Sequence, residues 1–158
     1  MSGPPHSSTL AGWREWVTLP GCDVEWVKAK LDTGARSSSI HAFDVALFER
    51  DGRDWVRFSI HPWQRSDADA AVVERPVHDR RSVRSSSGHS EERFIVLLDI
   101  GLVDRTVTAE VSLTDRDEMG FRMLVGREAL RQGFLVDSGR SYLGGRPPLA
   151  VRRRNRGR

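Results

Sequence analysis

The sequence predicts an all-β domain, a barrel or a sandwich, on three observations. Short apolar stretches recur at regular spacing along the 158 residues, most of them alternate apolar with polar side chains, and only one stretch reads as a short helix. A chain of this length buries a real core in one domain without disulfide help. No internal repeat is evident beyond one echo. An apolar run ending in Asp32-Thr33-Gly34 returns in outline as Met123-Leu124-Val125-Gly126-Arg127, without the acid.

Residues 1–11 read as a disordered polar leader with neither a basic start nor a long apolar run, so no signal peptide and no membrane span are expected, and a cytoplasmic protein is. The folded domain is expected over 12–146 and a basic disordered tail over 147–158. Trp13 to Leu19 reads as the first strand, ended by Pro20-Gly21. Val27, Ala29 and Leu31 alternate with Lys28 and Lys30, giving a strand with one apolar face that stops at Asp32. Ser37 to Phe48 suits a further strand or a strand with a bend. Trp55 to Ile60 sets Val56, Phe58 and Ile60 on one face against Arg57 and Ser59, and Gln64 to Ala71 is a polar loop.

Val72 to Val83 and Phe94 to Ile100, the second apolar on both faces, read as a long hairpin around a turn-rich tip from Arg84 to His89. Beyond the turn at Gly101 and Asp104, Val107, Ala109, Val111 and Leu113 alternate with Thr106, Thr108, Glu110 and Ser112, another half-buried strand. Asp115 to Gly120 is a charged turn, Phe121 to Val125 a short strand, and Gly126 to Gln132 the helix, ended by Gly133. Phe134 to Val136 and Ser141 to Leu143 close the domain as short strands before Pro147-Pro148.

Charge and cysteine content exclude some function classes. The pI near 9.7 comes from the tail: Arg152, Arg153, Arg154, Arg156 and Arg158 outweigh the whole net charge of +3, so the body is slightly acidic. Such a tail can contact nucleic acid weakly and without specificity, but no aromatic platform or groove-reading helix accompanies it. The lone Cys22 cannot form an internal bridge and reads as a small, partly buried apolar residue.

Asp32-Thr33-Gly34 carries the most chemistry. A carboxylate stands at a rigid strand end, Gly34 permits close backbone approach, Thr33 offers a hydroxyl and Ala35 leaves room. The triplet alone is also a plain turn between strands, since all three residues form turns. The wider context resembles the retropepsin-like aspartic proteases, in which an apolar-Asp-Thr-Gly-Ala turn is followed much later by an apolar-apolar-Gly-Arg strand and helix. Here these are KLDTGA at 30 to 35 and MLVGREAL at 123 to 130. GWREWV, KAKLDTGARSS, RSVRSSSGHSEER, LTDRDEM and FLVDS are similar to the bacterial group that carries the name ATP-dependent zinc protease.

That resemblance implies a closed barrel with a flap hairpin and one short helix. It implies Asp32, Thr33 and Gly34 as catalytic residues, and substrate contacts are expected from Ala35, Arg36, Arg84, Ser85, Ser86 and Gly88. Gly126 and Arg127 would support the acid. Two carboxylates must share one proton in this chemistry and the chain has one Asp-Thr-Gly, so a homodimer with Asp32 from each copy is expected.

Viral retropepsins commonly have an acid where this chain has Arg36, paired with the arginine of the later Gly-Arg. Arg127 is therefore expected to turn to Asp115, Asp117 or Asp137. With Arg81, Arg84 and Arg93 on the flap, a cationic cleft and an acidic, glutamate-rich peptide or protein substrate are expected. A silent module that binds such peptides or a protein partner, and an RNA- or ribosome-associated barrel working through the tail, are the rival readings. His6, His41, His61, His78 and His89 are scattered, no His-Glu-x-x-His or paired cysteines occur, and no Gly-rich Lys-Ser/Thr loop is present, so neither metal nor nucleotide cofactor is expected.

Overall fold

The computed structural model describes residues 8–63, 70–84, 88–115 and 120–154, with 83, 84 and 154 by backbone alone. Strands β1 (Thr9–Leu19) and β2 (Val24–Asp32) form an antiparallel hairpin across the 3-10 turn Pro20–Cys22. Then follow β3 (Ser38–His41), β4 (Phe43–Arg50), β5 (Arg53–Ile60), β6 (Ala71–Pro76), β7 (Asp79–Arg84), β8 (Ser90–Leu102) and β9 (Arg105–Thr114). After them come β10 (Met123–Gly126), helix α1 (Arg127–Leu130), β11 (Phe134–Ser141) and helix α2 (Leu149–Arg154).

Pairing runs β1-β2-β10-β3-β9-β8 and returns to β1 where Thr18 meets Gly101, which closes a six-stranded barrel. The closed barrel implied by the resemblance is present. Its seam explains Gly101, because a Cβ there would collide with the Thr18 hydroxyl. Strand β11 adds in parallel outside β1, β7 adds outside β8, and β4, β5 and β6 form a separate three-stranded sheet.

Period-two patterning accounts for the core. Val56, Phe58 and Ile60 are fully buried while Arg57 is exposed, and Val107, Ala109, Val111 and Leu113 all face inward. Burying each of the larger of these side chains stabilises by roughly 1.5–3 kcal/mol before the cost of ordering the chain. Cys22 is buried in this core, as expected of a small apolar residue, and burial pushes its thiol pKa up. Leu97 is exposed, so β8 alternates from Val96 onward and is not apolar on both faces.

Four expectations are corrected. Residues from Val72 onward do not open the flap: β6 pairs with β5, matching Phe58 with Val73, and the β7–β8 hairpin starts at Asp79. Pro76, which has no N–H to donate, separates the two strands. In place of two closing strands there is one, β11, which ends at Ser141 and leaves Tyr142 and Leu143 outside it, because a bulge between the Gly12–Asp137 and Arg14–Ser141 pairs absorbs the turn-like Ser138-Gly139-Arg140. Strand β1 begins at Thr9, inside the presumed leader. A second helix, α2, forms where a disordered tail was expected, following Pro147-Pro148, and the Arg152 N–H donates to the Pro148 carbonyl (3.0 Å).

Candidate active site

The two echoing motifs lie side by side. Strand β10 runs parallel to β2 with Val125 opposite Leu31 and Gly126 opposite Asp32, so the acid and the later glycine share one level of the barrel. On its other side β10 pairs antiparallel with β3, Leu124 opposite Ser39. The loop from Thr33 to Ser37 must therefore arch over the end of β10.

Hydrogen bonds fasten that arch. The Arg127 N–H donates to the Ala35 carbonyl (2.7 Å) and the Glu128 N–H to the Arg36 carbonyl (3.0 Å). Beneath it, the Gly126 N–H donates to the buried Ser38 hydroxyl (3.0 Å). A side chain at Gly126 has no room, because its Cβ would run into the Ser37 carbonyl. That is the physical reason for the glycine at 126: one backbone passes under another.

Asp32 is half-buried at the end of β2, and its Oδ1 accepts the Gly34 N–H (2.9 Å). Among the described residues its Oδ2 has no hydrogen bond. The turn is closed by Ala35 N–H to the Asp32 carbonyl (3.2 Å), which leaves Thr33 and Gly34 exposed. A carboxylate so held, with one oxygen fixed and one open, can take a proton from a water molecule. Among the described residues no hydrogen bond joins it to a second acid.

The structure brings Asp32, Thr33, Gly34, Ala35 and Arg36 together with Gly126 and Arg127. Arg127 does not pair with Asp115 or Asp137 among the described residues: its guanidinium donates to the Thr33 carbonyl (3.2 Å), and Asp137 pairs with Arg140 (3.4 Å). Asp117 lies outside the described residues. The acid near Arg36 is Glu128, 3.0 Å from its Nε. Sequence reading missed Glu128 although it directly follows Arg127, and missed Ser38, which looked like one more small residue in a serine run.

The residues expected on the flap are not joined to the site by any described contact. Arg84 pairs with Ser90 at the end of β7–β8, Gly88 is exposed with φ +86°, and Ser85 and Ser86 lie outside the described residues. No hydrogen bond or ion pair among the described residues joins Gly88 to the Asp32 turn. Arg81 is less of a free cation than expected, since it pairs with Asp79 (3.1 Å) and Glu110 (2.8 Å). The Arg80 N–H and the Arg81 guanidinium together hold the Asp79 carboxyl below its usual range.

His78 faces Glu110 at 3.7 Å, and the His41 ring lies 3.4 Å from the Arg122 guanidinium. Among the described residues no three His, Cys, Asp or Glu side chains gather in a metal-sized group. A cavity of about 600 Å³, lined in part by Cys22, Trp26 and Trp63, opens near the start of β2. Asp32 ends that strand roughly 26 Å away by strand rise, so the cavity is separate from the acid.

A family model described as retropepsin-like aspartic endopeptidase RimB matches residues 10–147, which include both halves of this arrangement. The chain belongs to the RimB-like family. Relatives of this family member include a "Probable alpha-L-glutamate ligase" from Shewanella pealeana, 43% identical over 143 residues, which covers 90% of this chain and 31% of the relative. Another of the same name, from Desulfotalea psychrophila, is 40% identical over 128 residues, 81% of this chain and 28% of the relative. The chain thus spans about three-tenths of the length of the curated relatives it matches. The crystal structure of a protein of unknown function from Legionella pneumophila superposes with a TM-score of 0.74 at 28% identity, over 87% of this chain and 99% of that one. Among the described residues no helix is long and apolar enough to cross a membrane.

Proposed function

We propose that the chain is an aspartic peptidase of the cytoplasm that works as a homodimer through a dyad of Asp32 and its symmetry mate, cutting acidic, glutamate-rich peptide tails. The observation that carries this reading is the Asp32 turn itself, one open carboxylate oxygen on an arch fastened over Gly126, in register with it. Half a dyad is what one copy of a two-fold site contains. In the dimer one carboxylate takes a proton from the attacking water while its protonated partner donates to the carbonyl oxygen. The proton then passes to the leaving amine, so one water and one amide bond become an acid and an amine. Gly34 lies against the substrate backbone, Thr33 bonds across the axis, and the β7–β8 hairpin closes over the cleft to exclude water.

The substrate class draws support from Arg36 and from the relatives. Proteins named for glutamate ligation carry a segment like this chain, and a glutamate chain is an acidic peptide. The same names support a second reading, in which the domain holds an acidic peptide or partner without cutting it. Incubating the chain with glutamate-tailed and ordinary peptides from acidic to neutral pH, with products read by mass, separates the two. The peptidase reading expects cleavage of the glutamate-tailed peptide first, unaltered by a chelator. Intact peptides at protein concentrations where a dimer forms would leave only the binding module.

A further inference from the structure

Arg36 is tethered on one edge only. Its Nε lies 3.0 Å from Glu128 Oε1, and among the described residues neither of its Nη atoms makes a further bond. Its side chain is 80% exposed, against 35% for Glu128. The same two residues are joined through the main chain by the Glu128 N–H to Arg36 carbonyl bond (3.0 Å). Neither end of the ion pair can drift far, because α1 begins directly beneath the arch that carries Arg36.

A guanidinium offers two planar edges to carboxylates, one through Nε and one Nη, the other through both Nη atoms. Glu128 occupies the first. The second remains open, four residues beyond Asp32 on the same loop. An isolated arginine this exposed would spend most of its time in solvent-directed rotamers and would gain little from any one contact. A neighbour fixed by the backbone removes part of that ordering cost before a ligand arrives.

We infer that Glu128 is a positioning residue that holds Arg36 as the receptor for a side-chain carboxylate of the bound peptide, taken on the open Nη edge. The inference rests on the acidic-peptide reading above, though not on cleavage. It also makes a counter-intuitive claim about sign. If Glu128 did no more than neutralise Arg36, removing it would strengthen the binding of acidic peptides; if it positions Arg36, removing it weakens that binding.

The test uses the 158-residue chain with Asp32→Asn, which binds without turnover, and two peptides that differ only in a glutamate or a glutamine tail. Calorimetry gives the ratio of the two affinities. Glu128→Ala is expected to lower the glutamate preference by about fivefold, the scale of an exposed ion pair with a bound carboxylate. Glu128→Gln, which keeps an acceptor oxygen, restores most of it, and Arg36→Ala lowers it as far as the double variant does. A preference that rises in Glu128→Ala, or survives Arg36→Ala, overturns the inference, as does a glutamate peptide that does not bind at all. Should Glu128→Ala not fold, Glu128→Gln and Arg36→Ala decide by the same criteria. A wild-type protein that leaves the peptide intact while this Glu128 dependence holds sinks the peptidase reading alone.

Discussion

Asp32→Asn is expected to reduce peptide cleavage by on the order of a thousandfold or more, the range set by losing a general base that also serves as general acid in the other copy. Asparagine has the shape of aspartate, and its Oδ1 can still accept the Gly34 N–H that Asp32 accepts at 2.9 Å. The closing bond from Ala35 N–H uses the Asp32 carbonyl and is untouched. Turn, arch and barrel should therefore persist, with a thermal midpoint shifted by no more than a few degrees. The expected signature is a lost kcat/KM in a protein that melts like wild type. Activity within tenfold of wild type would mean that the carboxylate at the end of β2 is not part of the chemistry.

Glu15→Ala is expected to cost stability most. Glu15 is fully buried in β1, and its carboxylate accepts three backbone N–H groups, from Gly12 (2.7 Å), Leu143 (2.9 Å) and Gly144 (2.9 Å). It thereby ties the segment that follows β11 to the first strand of the barrel. Alanine leaves three donors without a partner in the interior and opens a void, a loss of roughly 3–5 kcal/mol, a large fraction of the whole stability of a domain. Glutamine should cost about half as much, because one oxygen can keep two of the three donors while its amide nitrogen opposes the third. Urea unfolding midpoints check the order wild type, Gln, Ala; an Ala variant within about 1 kcal/mol of wild type would contradict it.

How far these features are legible in the sequence depends on how local their causes are. Alternation within β5 and β9 announces the buried faces because each strand writes its own pattern. The pairing of Asp32 with Gly126 is also visible, through the echo, since both end an apolar strand of the same outline and the two strands run side by side. Glu15 is a charged letter in a first strand, and nothing near it says that its partners are Leu143 and Gly144, 128 and 129 residues away. Arg36 and Glu128 are 92 residues apart, so the charge reversal at Arg36 could be read while the acid that answers it could not. The partner of β6 is hidden in the sequence for a related reason. A strand with a single strongly buried residue, Val73, carries too little pattern to say which neighbour it faces.

The claim on which the rest depends is that each catalytic unit contains two copies of Asp32. Wild-type chain is co-refolded with an equal amount of Asp32→Asn chain, and cleavage is compared with the same amount of wild type refolded alone. Random pairing leaves a quarter of the dimers with both acids, so a shared dyad predicts activity falling to about half. Activity unchanged by the inactive chain would show that a single Asp32 suffices, and would contradict the account.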